Sequence, residues 1–164
     1  MSELPPWSSR QREEAVLFNP AFLATLLAAA ASDHQRVAGD GLRWTLAFIV
    51  PALVLFEDTR AELPANTNAR LLNWINDHTN VCARLPQRAR SLAPLVRESA
   101  RFGMRAGALT FVEERLRSPL SAPTLRSGAS AEARVCIERA AFLGRWFDGV
   151  ADVASVYALF GISP

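Results

Sequence analysis

Residues Trp44 to Phe56, WTLAFIVPALVLF, run with one threonine, one proline and no charge between Arg43 and Glu57. A helix over Arg43–Asp58 is apolar nearly all round, so it has to lie at the centre of its domain with cover on several sides. The run falls well short of the roughly 20 residues that cross a bilayer, and charges flank it closely. The same holds for Pro20–Ala31, PAFLATLLAAAA. Both read as buried helices, and Pro51 must either kink the central one or start a fresh helical turn there, the kink being favoured.

The residues from Ala140 to Pro164, AAFLGRWFDGVADVASVYALFGISP, repeat the theme. Chain ends are usually polar and frayed, whereas this stretch carries Phe142, Leu143, Trp146, Phe147, Val156, Tyr157 and Phe160. It must dock on its own domain or on a partner. The uncovered central helix favours docking within the chain, which leaves Arg145, Trp146 and the residues from Gly161 to Pro164 for a partner.

The remaining elements follow from caps and periodicity. Residues 1–12 read as a flexible arm with Trp7 as an anchor, and residues 13–164 as a single mainly helical domain. Asn19-Pro20 opens a helix to about His34. A loop is expected over Thr59–Asn66, a helix over Asn68–Thr79 with Leu71, Leu72 and Ile75 inward, a segment over Asn80–Arg90 interrupted by Pro86, and a helix from Ser91 to about Met104. Ala108–Val112 is β-favourable and starts a short hairpin with a flexible tip bearing Arg115 and Arg117. Ser130, with Glu132 and Glu138 after it, opens a helix over Ala131–Phe147, and a last helix over Ala151–Phe160 closes the chain.

Charge is uneven. The 18 cations are all arginine, against 16 acids, as a biased genome composition or a preference for planar contacts would give. Residues 1–83 carry a net −3, residues 84–117 a net +5 and residues 118–164 none. Arg90, Arg97, Arg101 and Arg105 recur at steps of seven, four and four, near one helical face. Followed by a hairpin, they fit the recognition helix and wing of a winged helix-turn-helix core over 43–125. They equally fit a solvated face, and modest overall basicity excludes a blanket polyanion binder.

Catalytic patterns are weak. His78 and Cys82 stand one helical turn apart, but no third orienting group can be named, and an exposed histidine beside a buried thiol accounts for both. His34, His78, Cys82 and Cys136 are too scattered for a zinc site. Adjacent carboxylates such as Glu57-Asp58 and Glu113-Glu114 point in different directions, and Ala38-Gly39-Asp40-Gly41 lacks the context of a phosphate loop. No enzyme activity, metal or cofactor is expected. Two lone cysteines and no secretory signal place the chain in the cytoplasm.

Four segments, in their order, carry a family likeness: Asn19-Pro20-Ala21-Phe22-Leu23; Phe48 to Leu55 leading to Thr59-Arg60 and Leu63-Pro64; Trp74-Ile75; and Leu143-Gly144-Arg145-Trp146 with Gly161 near Pro164. The chain resembles the middle component of three-component ABC systems over nearly its whole length. The resemblance implies a non-enzymatic adaptor between an SMC- or Rad50-like ABC ATPase and an effector-bearing component, in defence against phage and mobile DNA. Neither the Pro86 region nor the loop from Arg115 to Ser130 matches the family pattern. Trp7, Arg145, Trp146, Gly161 and Pro164 are the candidate protein contacts. Arg90, Arg97, Arg101, Arg105, Arg115 and Arg117 are candidates for nucleic acid or an acidic partner. The alternative reading is an autonomous winged-helix DNA-binding protein.

Overall fold

The computed structural model describes residues 19–150 and 152–161; the arm, Trp7 and Pro164 lie outside them. Helix α1, Pro20–Ala38, starts where the Asn19 side chain accepts the Ala21 N–H at 2.9 Å and ends where Gly39, at φ 74°, donates its N–H to Gln35 O. It runs a turn beyond His34 because that glycine is the first residue suited to the left-handed C-cap. Leu23, Leu26, Leu27 and the alanines Ala28 to Ala31 are all buried.

The expected single helix over Arg43–Asp58 is instead three pieces. They are α2 (Trp44–Ala47), α3 (Ile49–Val54) and α4 (Glu57–Glu62), preceded by strand β1 (Leu42–Arg43). Pro51 does not kink a continuous helix. It sits in the first turn of α3, where a missing N–H forfeits no intrahelical bond. Every residue of α3 is buried. Thr59 and Arg60 lie in α4 rather than a loop, and both are buried. Arg60 donates to Val54 O at 2.8 Å, placing a cation on a helix C-terminus.

Helix α5 (Leu71–Asp77) buries Trp74 and Ile75 but leaves Leu72 half exposed, against expectation. After α6 (Thr79–Cys82) comes α7, continuous from Leu85 to Arg105. Ser91 therefore opens nothing: Pro86 is tolerated in the first turn, and Pro94 inside the helix deprives only the Arg90 carbonyl of its partner. Strands β2 (Thr110–Val112) and β3 (Arg115–Arg117) pair antiparallel, and β1 joins the far side of β3, giving the order β1-β3-β2. Gly41 leads into β1 because a Cβ there would sit 2.7 Å from Leu116 O. Short helix α8 (Ala122–Arg126) precedes α9 (Ala131–Trp146), capped by Ser130; a 3-10 turn at Phe147–Gly149 and α10 (Val153–Leu159) follow.

Helix α1 is the hub and packs against both α7 and α9. Two glycines permit this. A Cβ on Gly103 of α7 would meet Leu109 and Ala24, and one on Gly144 of α9 would lie inside the radius of Ala30 O and 3.0 Å from Ala30 Cα. The residues after α9 do dock on the same domain: Val156, Tyr157 and Phe160 are buried, and the Tyr157 hydroxyl donates to Thr45 O.

Gly144→Ala should destabilise the chain by about 3 kcal/mol, since the obstacle is helix backbone rather than a movable side chain; an unchanged urea midpoint would refute the close approach. The hairpin turn is Glu113–Glu114, at φ 50° and 61°. Replacing the pair with Asn-Gly should raise stability by about 1 kcal/mol, because both positions require left-handed backbone; a loss in thermal midpoint would contradict that geometry.

Candidate interaction surface

Of the eight arginines in residues 84–117, four already have acidic partners from elsewhere in the chain. Arg84 and Arg88 bind Asp58 at 3.0 and 2.9 Å, and Arg88 also donates to Thr59 Oγ1 and stacks over Phe56 at 3.8 Å. Arg115 and Arg117 bind Asp40 at 2.9 and 2.8 Å. These last two stand in β3 rather than at a flexible tip; the tip is Glu113–Glu114. The Gly41 N–H, with Arg115 and Arg117, holds the Asp40 carboxyl below its ordinary range.

The other four, Arg90, Arg97, Arg101 and Arg105, are exposed on one face of α7 and form no ion pair among the described residues. Arg97 lies over the Phe48 ring at 5.3 Å. Phe48 meets Trp44 edge-on at 4.7 Å, and Trp44 meets Phe111 at 5.9 Å. The basic stripe thus continues into an aromatic run that reaches strand β2, where Phe111 and Val112 are nearly half exposed.

The C-terminal candidates are placed differently. Trp146 is buried, donates to Ala69 O at 2.6 Å and packs against Trp74, Phe142 and Phe147. Arg145 is half-buried in an ion pair with Asp33, which Arg36 also approaches at 3.5 Å. Gly161 is exposed at φ 65° beside Pro86. Trp146 nevertheless floors an open groove of about 430 Å³ with Leu72, Val150 and Leu159 on its walls and Arg70 and Asp152 near them. Sequence reasoning missed this groove, since Leu72 had been assigned to the core; the missing signal was the late helix start at Leu71.

His34 Nδ1–H donates to Gly144 O at 2.9 Å, and His78 spans Trp74 O and the Glu62 carboxylate at 2.8 and 3.3 Å. Both therefore fasten helices. Burial raises the pKa of Cys82 and of Cys136, disfavouring the thiolate that nucleophilic or metal chemistry needs. No group of three metal-ligating side chains gathers among the described residues, and no helix there is long and apolar enough to cross a membrane.

With this geometry in place, comparison with known families is decisive. The model of the ABC-three component (ABC-3C) system Middle Component 3 family matches residues 7–164. The chain belongs to that family. No curated protein and no solved structure matches it. Much of the sequence likeness to middle components falls on structural positions: Asn19 caps α1, Pro51 starts α3, Thr59-Arg60 lies buried, and Gly144 admits α1.

The Arg88 guanidinium and the Thr59 N–H lower the Asp58 pKa to about 2. A depressed carboxylate contributes stability above its unfolded pKa and loses it as pH falls through the folded one. Asp58→Asn should therefore cost about 1 kcal/mol at neutral pH, discounted for solvent exposure, and the deficit should vanish between pH ~4 and ~2. Urea titrations of both proteins across that range check this, and a pH-independent deficit would rule it out.

Proposed function

We propose that this chain is a non-enzymatic adaptor that bridges an SMC- or Rad50-like ABC ATPase and an effector-bearing component in the cytoplasm. In that role it helps couple DNA sensing to effector release in defence against phage and other mobile DNA. The observation that carries this reading is the Middle Component 3 match along residues 7–164. A bridge needs two surfaces, and the chain offers two that share no lining residue: the arginine-aromatic face of α7, and the groove over Trp146.

The core is winged-helix-like in this reading. Its support is the order of a helix, a strand, further helices, a long helix and a hairpin, with β1 laid on β3. Such modules serve as protein adaptors as readily as DNA binders. The second reading, an autonomous DNA-binding protein, draws on the same exposed arginines. It is the weaker one, because the hairpin cations that a DNA-contacting wing would use are both already paired to Asp40.

Co-expression with the other two components of its system tests the adaptor role. The chain should co-purify with both, and raise the thermal midpoint of the assembly above that of the parts by mass action. A chain that co-purifies with neither is not the bridge.

A further inference from the structure

Resting on the adaptor reading, we propose that the α7 face from Arg90 to Arg105, together with the aromatic run Phe48–Trp44–Phe111, docks an acidic amphipathic polypeptide segment of a partner protein. The four arginines span about 22 Å along the helix, from the 1.5 Å rise per residue. That length matches a partner segment of a few helical turns.

The face is costly to the isolated chain. Arg97, Arg101 and Arg105 are successive like-charge neighbours at four-residue spacing, an arrangement that destabilises an isolated helix. Among the described residues none of these arginines forms a salt bridge, whereas the chain supplies acids to Arg84, Arg88, Arg115 and Arg117 nearby. Met104, seven residues beyond Arg97 and so on the same face, is left exposed, as are Phe111 and Val112. Arginine, aromatic rings and methionine are the residues enriched at protein interfaces.

Both halves of the partner's chemistry follow. Carboxylates answer the arginine forks, and apolar side chains answer Phe48, Trp44 and Phe111. The free edge of the sheet adds a polar handle. Val112 and Arg115 flank the two-residue turn as a hydrogen-bonded pair, so the alternation along the ladder turns the Phe111 N–H and C=O outward.

Nucleic acid fits less well. Its phosphates would meet the arginines, but the hairpin beside them presents the two glutamates of the turn and two exposed apolar side chains. A peptide can answer the exposed apolar side chains with its own, whereas a duplex offers them only phosphate and sugar.

The test uses the full chain and a fluorescein-labelled peptide of about 16 residues with Leu or Phe at alternating three- and four-residue steps and Glu between them, long enough as a helix to span the stripe. Saturable, salt-sensitive binding is expected. It should weaken on the order of tenfold in the Arg97→Glu/Arg101→Glu/Arg105→Glu variant and severalfold in Phe111→Ser, with thermal midpoints little changed at such exposed sites. Should the triple variant fold poorly, Arg97→Gln/Arg101→Gln replaces it. No binding of the peptide, equal binding by the variants, or equal binding of an all-glutamate peptide would overturn the proposal. So would duplex DNA of about 20 base pairs that binds more tightly than the peptide and is lost in the same variants, which would make the face a nucleic-acid surface. Failure of the adaptor reading is read separately, from co-purification with the other components, and does not depend on the peptide.

Discussion

Helices α1 and α9 touch backbone to backbone. At Gly144 nothing intervenes between the α9 main chain and Ala30, and the contact is extended by the His34 bond to Gly144 O and the Arg145 pair with Asp33. Dispersion and hydrophobic burial per residue are modest for alanine, so the run Ala28 to Ala31 earns its place through proximity rather than bulk. With α1 held this closely on α9, its Ala24 region meets Gly103 of α7, and the long basic helix is thereby fixed on the hub. The arginine face owes its position to two glycines that carry no chemistry themselves.

The residues that follow α9 are bound to this arrangement. Trp146 donates its indole N–H to Ala69 O, between α4 and α5, and Trp74 to Glu62 O at the end of α4, and their rings meet edge-on. Tyr157 reaches back to α2. The described part of an apolar C-terminal segment that by composition alone suits a partner goes largely into closing its own domain, with Leu159 left on the rim of the groove. Exposed apolar surface instead concentrates on β2 and the outer side of α7, where sequence periodicity placed only a β-favourable run and charges.

The helical class, the Asn19 and Ser130 caps, the hairpin and the basic stripe were all legible in the sequence, because each depends on local chemistry or on a simple repeat. Pairings were not. Nothing in the spacing of Asp40 and Asp58 tells that they pair with four of the eight arginines in residues 84–117, since those contacts close over long stretches of chain. Two prolines were misread for one reason. Pro51 and Pro86 were weighed as a kink and an interruption, whereas both fall in first turns, where the lost N–H has no helical partner. Only Pro94 stands in an interior, and there the hydrophobic face of Leu92, Val96 and Ala100 holds the helix together across it.

That proline divides the arginine stripe unequally. Arg90 precedes it and Arg97, Arg101 and Arg105 follow, while the backbone bond that would otherwise brace the junction, at the Arg90 carbonyl, is missing. Bending a helix at such a point sacrifices no further hydrogen bond there. The stripe is therefore mechanically a rigid triad with one adjustable outrigger: the spacing among the last three charges is set by an intact helix, whereas the reach of Arg90 can be tuned at small elastic cost. A surface built this way holds one register firmly and tolerates variation in what lies a few residues along.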